Sequence, residues 1–265
     1  MKPLDEKLHK SIHNKMLNQN YSTFLTNPRL RLFRFFERKF GNINGTVLDV
    51  GAGSGYASIY LALKHSVKKV LALESSLVAT SELIPKNVEH YKVAEKVFPL
   101  LGSFSEFKID EKADFVFSFG SLHHSDCLFS TFKALGRNMK SGSYLLAQEP
   151  AMPDFTTNLD YQKKYDCIEK KFGVEIRNGD RDDHFFRVSE YITAAQFCGM
   201  DLLYSGEVYS LQSKIQKIKE IFKLWINKVE VDKISFHTRR VIPKVFVFRK
   251  HKKSTPIAHL WKPLR

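Results

Sequence analysis

The stretch VLDVGAGSGYAS, at residues 47–58, decides the fold because its character changes twice along its length. It begins as a short apolar run, passes through glycines at positions 51, 53 and 55, and ends in residues of helical composition. Glycine permits positive φ and lets a ligand approach the main chain where a side chain would collide. The order of strand, glycine loop and helix therefore predicts a ligand-binding turn at the end of a buried strand.

The spacing of the three glycines restricts the kind of ligand. Dinucleotide-binding loops follow the pattern G-x-G-x-x-G. Here the position of that pattern's third glycine is occupied by Tyr56, and the glycine lies one residue earlier, at Gly55. The spacing therefore disfavours NAD or FAD.

Further apolar runs alternate with segments of helical length, at residues 46–50, 69–73, 97–101, 113–119 and 143–147. Such alternation predicts parallel strands joined by crossover helices, because parallel neighbours cannot be joined by a hairpin. Pro99 in the third run indicates an edge strand. Residues 202–209 and 245–248 are weaker candidates for two last strands. The sheet is expected to be buried on both faces.

Ligands of open parallel sheets bind beyond the carboxyl ends of the strands. Glu74 ends the second run, about 20 residues after the glycine loop, which is the usual separation for an acid that binds ribose hydroxyls. The residues after each run are therefore the ones expected to carry function.

The organisation along the chain is predicted in three parts. Residues 1–45 form a helical segment that can close as a lid, residues 46–250 form one domain with an insertion at about 150–187, and residues 251–265 form a basic tail. A helix is expected after Asn27 and Pro28, which suit a cap and a first turn.

Four stretches together resemble the class I S-adenosylmethionine-dependent methyltransferases: VLDVGAGSGYAS, VLALESS at 70–76, ADFVFSFGSLHH at 113–124, and the strand that ends in Gln148-Glu149-Pro150. The resemblance covers residues 46–150. It implies a Rossmann-like, seven-stranded, mostly parallel sheet with helices on both faces, an N-terminal helical segment and an insertion after the fifth strand. It also implies methyl transfer from S-adenosyl-L-methionine.

The same resemblance implies a set of donor-binding residues. The first motif frames the methionine part, an acid holds the ribose, and the loop after the third strand meets the adenine. That loop contains Ser103 and Phe104 and has no aspartate at this position, so Phe104 is expected to stack on the base. The implied residues are Asp49, Gly51, Ala52, Gly53, Gly55, Glu74, Ser75, Ser103, Phe104, Phe119 and Gly120.

Three residues near the expected methyl group are candidate catalytic residues. His123 and His124 follow the fourth strand, and imidazole titrates near neutral pH, so either suits a base for the acceptor. Glu149 at the end of the fifth strand is a third candidate that could bind an acceptor hydroxyl. The alternatives are local packing for the histidines and a loop hydrogen bond for Glu149. The polar run at 180–184 either lines the acceptor pocket or is a solvated loop.

The absence of certain motifs from the sequence narrows the range of possible methyl acceptors. The residues Phe119-Gly120-Ser121-Leu122 lack the Asn/Asp-Pro-Pro-aromatic motif of enzymes that methylate exocyclic amines of bases, and no Pro-Cys nucleophile occurs there. No cluster of acidic residues in the sequence predicts a magnesium site. With only 3 widely spaced cysteines and no signal-like apolar stretch, a cytoplasmic location is expected, either free or peripheral to a membrane.

Positive charge is concentrated near the end of the chain. The net charge is +14, and residues 211–265 carry 15 Lys and Arg against the acids Glu220, Glu230 and Asp232. RNA or an acidic membrane surface could bind there. The amphipathic stretch 212–227 either rests on such a surface or covers the sheet.

These observations favour a methyltransferase that modifies an O or N atom of a small molecule or glycan. The alternatives are an RNA methyltransferase and a protein of the same fold that binds the donor without catalysis.

Overall fold

The computed structural model describes residues 24–154, 186–207 and 242–251. Several predicted parts of the chain lie outside these residues: the first 23 residues of the N-terminal helical segment, the amphipathic stretch at 212–227, most of the insertion at 150–187, and the tail from residue 252.

In the described part of the chain, seven strands form one sheet in the order β3-β2-β1-β4-β5-β7-β6. Strands β1 to β5 are parallel, while β7 runs antiparallel to both β5 and β6. This arrangement confirms the predicted mostly parallel, Rossmann-like sheet. The strands are β1 (Gly45–Val50), β2 (Val67–Glu74), β3 (Val97–Leu101), β4 (Ala113–Phe119), β5 (Met139–Ala151), β6 (Met200–Glu207) and β7 (Ile242–Lys250).

Helices cover both faces of the sheet, and each face has its own apolar core. The first three helices pack on one face and the last two on the other. The helices are α1 (Arg31–Phe40), α2 (Tyr56–Ala62), α3 (Ile84–His90), α4 (Leu128–Asn138) and α5 (Val188–Phe197). Short helical turns precede α1 (Pro28–Leu30), α3 (Ala79–Leu83) and α4 (Leu122–His124).

Helix α1 belongs to the core, although it lies within the segment expected to act as a lid. Phe33 is completely buried, and its ring lies 4.9 Å from that of Phe117 and 5.0 Å from that of Phe119. Phe36 packs against Phe115 and Tyr144 in the same way. Aromatic rings gain stability beyond the area they bury when they pack edge to face. This part of the segment therefore anchors the sheet.

Two prolines, Pro99 and Pro85, lie where the sheet and a helix can accommodate them. Among the described strands, β3, which contains Pro99, lies at the edge of the sheet beside β2. The helical residues run without a break from 77 to 90, and Pro85 comes directly after a π-helical turn at Ala79–Leu83. Proline has no N–H to donate, so the helix loses one regular hydrogen bond at this position.

Strand β5 is longer than its apolar run predicts. It spans Met139–Ala151 because its second half pairs with β7, from Tyr144 opposite Arg249 to Ala151 opposite Ile242. The extension carries Gln148 and Glu149 to the edge of the sheet where β1, β2 and β4 also end.

Phe33→Ala is expected to lower the free energy of unfolding by about 3–5 kcal/mol, because it leaves a cavity beneath α1. Leu63→Ala, at a position with 47% exposure, should change it by less than ~0.5 kcal/mol. Urea denaturation measures both values. A Phe33→Ala variant within ~1 kcal/mol of the parent protein would show that α1 is not part of the core.

Candidate active site

The glycine loop is held against the end of β2. The amides of Gly51 and Ala52 both donate to the carbonyl of Leu73, at 2.9 and 3.0 Å. Gly51, Gly53 and Gly55 have φ values of 75°, 55° and 77°. Residues with a Cβ rarely adopt these values, so the turn requires glycines at the positions where the sequence has them.

The three glycines have different surroundings. A Cβ on Gly51 would lie 2.2 Å from Cβ of Ser121, and one on Gly55 would lie 3.3 Å from Ile84. A Cβ on Gly53 would meet nothing within 4 Å. Gly51 therefore allows two protein segments to pack closely, whereas Gly53 borders open space in which a ligand could lie.

Glu74 braces the loop from the end of β2. Its Oε2 accepts a hydrogen bond from the amide of Gly53 at 2.9 Å, and its Oε1 accepts from the amides of Ser75 and Ser76 at 2.8 and 3.1 Å. The hydroxyl of Ser75 also donates to Oε1, at 3.3 Å, whereas the amide of Gly53 is the one donor to Oε2 within the described residues. Each carboxylate oxygen has about two acceptor sites, so Oε2 can accept a further hydrogen bond from a ligand hydroxyl. The acid singled out in the sequence thus lies directly against the loop.

Asp49 lies beneath the loop and is almost completely buried, with 2% exposure. Its Oδ2 accepts a hydrogen bond from the hydroxyl of Ser58 at 2.7 Å. Burial raises the pKa of Asp49 to about 7, and the Ser58 hydrogen bond opposes that rise. Asp49 thus supports the junction between the loop and α2 and does not present its carboxylate to solvent.

The side of the site predicted for adenine is apolar. Phe104 lies against the loop, with its Cζ 3.3 Å from a Cβ placed on Gly51, while Ser103 is exposed. Leu77 and Leu101, which sequence analysis missed, have 63% and 58% exposure. Leu101 is the register partner of Glu74, so an apolar surface adjoins the carboxylate. Leu77 follows β2 and Leu101 ends β3, and these positions at the carboxyl ends of strands could have marked them as ligand contacts in the sequence.

The other side of the site carries a cation that sequence analysis also missed. Arg29 donates to the carbonyl of Phe119 at 3.0 Å, and a Cβ on Gly120 would lie 3.4 Å from its guanidinium. Burial raises the pKa of Tyr56, and the charge of Arg29 opposes that rise. Arg29 therefore lies beside the end of β4 and near the first residue of α2.

Two buried polar atoms in this region have no hydrogen-bond partner within the described part of the chain, the hydroxyl of Tyr56 and Oε1 of Gln148. Gln148 is the register partner of Phe119. Buried polar atoms are normally paired, so orphans at one edge of a sheet indicate a missing ligand or water.

Glu149 is fully buried at the end of β5. Its Oε1 accepts hydrogen bonds from the hydroxyl of Ser118 at 2.7 Å and from the amides of Ser121 and Leu122 at 3.1 Å each. Its Oε2 lies 2.9 Å from Nδ1 of His123. Glu149 therefore makes the loop hydrogen bonds that the alternative interpretation expects, and these contacts are all with protein groups.

The two candidate histidines lie side by side. Their ring centroids are 4.1 Å apart, and His124 is more exposed than His123. The His123 side chain has 11% exposure whereas that of Glu149 has none. The carboxylate is thus completely enclosed, and the imidazole is nearly so. The polar run at 180–184 lies outside the described residues.

Two absences apply to residues 24–154, 186–207 and 242–251 only. No group of three or more His, Cys, Asp or Glu side chains there could hold a metal ion. No helix among them is long and apolar enough to cross a bilayer.

The arrangement fits a ligand that joins a nucleoside to a charged amino acid. Glu74 can accept from ribose hydroxyls, apolar side chains border it, and the open space lies at Gly53. Arg29 and the orphaned hydroxyl of Tyr56 lie at the opposite end of the loop. These are the groups that a carboxylate and its neighbouring atoms require.

The strand order, the glycine loop and the acid at the end of β2 define the class I methyltransferase fold. The methyltransferase domain family matches residues 19–193, about two thirds of the chain, and the chain belongs to this family. S-adenosyl-L-methionine is the methyl donor of the family.

Solved structures share the fold at low sequence identity. A candidate sarcosine dimethylglycine methyltransferase from Galdieria sulphuraria has a TM-score of 0.57 and 22% identity, over 78% of this chain and 79% of that one. Geranyl diphosphate C-methyltransferase from Streptomyces coelicolor has a TM-score of 0.61 and 13% identity, over 85% and 79%. Phosphoethanolamine N-methyltransferase 2 from Haemonchus contortus has a TM-score of 0.59 and 14% identity, over 84% and 52%. The comparison with curated proteins gave no match.

Asp49→Asn is expected to remove a pH-dependent loss of stability. Between about pH 4 and 7 the unfolded chain has released the Asp49 proton and the folded chain retains it, so stability falls as pH rises, by at most ~1.4 kcal/mol per pH unit. Urea denaturation from pH 4.5 to 8 should show the Asp49→Asn variant gaining on the parent protein across this window. The exposed Asp110→Asn is the control. Parallel curves for all three proteins would contradict the account.

Proposed function

We propose that this protein transfers a methyl group from S-adenosyl-L-methionine to an O or N atom of a small molecule or glycan. The hydrogen bond from the amide of Gly53 to Glu74, beside the open space at Gly53, is the observation that carries the donor site. The neighbouring His123 and Glu149 carry the acceptor side.

The nucleoside end of the donor is assigned to Glu74 and its apolar neighbours. Oε2 of Glu74 accepts the hydrogen bond from the Gly53 amide and can accept another from a ribose hydroxyl. Phe104, Leu77 and Leu101 are exposed or half-buried apolar side chains at that end, and they suit the face of an adenine. Ser75 and Ser103 are exposed there as well and could bind its polar edge.

The amino-acid end of the donor is assigned to Arg29. A guanidinium is a strong partner for a carboxylate because its N–H groups match the two oxygens. Arg29 is positioned by the carbonyl of Phe119, beside Gly120 and close to the orphaned hydroxyl of Tyr56. Gln148, the register partner of Phe119 on the neighbouring strand, contributes a second buried oxygen without a hydrogen-bond partner in the described part of the chain.

The acceptor side needs little chemistry from the protein. The sulfonium of S-adenosylmethionine supplies a methyl group that is already activated. The chain's own groups have to hold the acceptor in line and, where its nucleophile carries a proton, remove that proton. We assign this step to His123 or His124, and their position after β4, next to the loop, supports the assignment.

A small acceptor is supported by what the structural neighbours bind. The Streptomyces coelicolor structure contains geranyl diphosphate, and the Haemonchus contortus structure contains phosphomonomethylethanolamine.

One observation favours RNA as a second candidate acceptor. Arg31, Arg34 and Arg38 are exposed and lie on one side of α1, because residues three and seven positions apart share a helix face. None of the three forms an ion pair within the described part of the chain. Such a row could contact phosphates, and binding through it would weaken steeply with salt.

Gly53→Arg is expected to abolish donor binding while the protein stays folded. The new side chain would fill the open space at the loop, and the positive φ of 55° adds about 1–2 kcal/mol of strain. Gly41→Arg is the matched control, since Gly41 also has positive φ and open space but lies at the end of α1 near the opposite edge of the sheet. Calorimetry with S-adenosylhomocysteine measures binding. Normal affinity in the Gly53→Arg variant would contradict the donor site.

Arg29→Ala is expected to weaken binding of S-adenosylhomocysteine about ten- to a hundredfold, the effect of losing one charge-assisted hydrogen bond. Binding of 5′-methylthioadenosine, which lacks the amino-acid part, should change by less than about threefold. Arg31→Ala, two residues away and exposed, is the control. Equal losses for the two ligands would show that Arg29 only supports the fold of the site.

Methyl transfer itself is tested with labelled donor and three sets of acceptors: small hydroxyl and amine compounds, glycans, and structured RNA. Label in a small molecule or glycan supports the proposal. Label in RNA would establish the second candidate. Donor binding without transfer to any set would favour a donor-binding protein without catalysis.

A further inference from the structure

The carboxylate of Glu149 is buried, and among the described residues no cation lies beside it other than the ring it contacts. An unpaired buried charge is strongly unfavourable, so such a group depends on its hydrogen bonds. Three donors meet Oε1: the hydroxyl of Ser118 and the amides of Ser121 and Leu122. All three are donors to a carboxylate oxygen, and two of them are main-chain amides that cannot reverse their role.

The second oxygen faces His123. Oε2 lies 2.9 Å from Nδ1 of the ring and 3.4 Å from the amide of the same residue. An ionised carboxylate accepts hydrogen bonds and does not donate them. Nδ1 must therefore carry a proton, and in the neutral ring the lone pair is then on Nε2.

The same network reaches the donor loop. The hydroxyl of Ser121 donates to the carbonyl of Val50 at 2.5 Å and lies 2.6 Å from the hydroxyl of Ser118. Ser121 also packs on Gly51, where no Cβ would fit. The position of the His123 ring is thus tied, through Glu149 and two serines, to the first glycine of the loop.

We infer that Glu149 is a positioning residue that holds His123 in the tautomer protonated at Nδ1, so that Nε2 accepts a proton from the acceptor. The catalytic part of this inference rests on the proposed methyl transfer. The acceptor heteroatom gives its electron pair to the methyl carbon, the C–S bond pair stays on sulfur, and the acceptor's proton moves to Nε2. The products are the methylated acceptor, S-adenosylhomocysteine and an imidazolium that lies against Glu149.

Glu149→Gln should invert the tautomer. Three donors surround the position of Oε1, so the amide oxygen takes that position and the NH2 group faces Nδ1. Because NH2 donates, Nδ1 has to accept, and the proton moves to Nε2. An amide next to a catalytic histidine acts in this way in the serine proteases.

The test is long-range 15N–1H correlation NMR of the histidine rings in the full-length protein, with the His123 signals assigned by their loss in His123→Asn. The parent protein is expected to show His123 protonated at Nδ1, and the Glu149→Gln variant to show it protonated at Nε2. Glu89→Gln, at an exposed position on α3, should leave the tautomer unchanged. Protonation at Nε2 in the parent protein, or at Nδ1 in the Glu149→Gln variant, would overturn the inference.

Ser118→Ala provides an independent variant if Glu149→Gln does not fold. It removes one donor to Oε1 and leaves the carboxylate, so the Nδ1-protonated tautomer should persist. Loss of that tautomer in the Ser118→Ala variant would overturn the inference, because the carboxylate would then not be what selects it.

Calorimetry separates this inference from the proposed function. The Glu149→Gln variant should bind S-adenosylhomocysteine within about threefold of the parent protein, while its kcat for a responsive acceptor falls at least about a hundredfold and KM for the donor changes little. A parent protein that does not bind S-adenosylhomocysteine would refute the donor site but leave the tautomer result intact. An unchanged kcat in the Glu149→Gln variant would refute the positioning role alone.

Discussion

The hydrogen bond from the amide of Gly53 to Glu74 is the contact on which the site depends. It joins the loop after β1 to the end of β2, so the parallel pairing of these strands also sets the shape of the loop. The two amides that donate to Leu73 reinforce the same junction. Inside the loop, the amide of Gly55 donates to the carbonyl of Ala52 at 2.8 Å and closes a turn. Three residues of the loop have positive φ, and the contacts with β2 add to this turn in fixing the loop's shape.

Close packing between the loop and β4 connects the two halves of the site. Ser121 occupies the space that a Cβ on Gly51 would need, and its hydroxyl contacts both Val50 and Ser118. Ser118 in turn donates to Glu149, which contacts His123. The glycine loop and His123 therefore belong to one buried polar network, in which every member restricts the others.

Much of the fold was predictable because apolar runs and glycines are local signals. The run at 97–101 coincides with β3, the run at 113–119 coincides with β4, and Glu74 ends β2 as expected. The role of Asp49 was less visible, since its position does not show that the side chain turns inward to Ser58.

The roles of Arg29 and Glu149 could not be predicted, because they depend on contacts between residues that are distant in the sequence. Arg29 meets the carbonyl of Phe119 across 90 residues, and no local pattern marks it. Glu149 was recognised by position, but its burial follows from pairing of β5 with both β4 and β7, which carries the residue inside the sheet. Sequence alone could not distinguish a carboxylate that meets an acceptor from one that orients a histidine.

A crystal structure of the full chain with S-adenosylhomocysteine tests the central claim most directly. The account predicts ribose hydroxyls on Glu74, the ligand's carboxylate at Arg29, and the sulfur beside Gly53 on the side that faces His123. A ligand bound elsewhere, or a Glu74 whose carboxylate keeps the loop amide but makes no contact with the ribose, would contradict it.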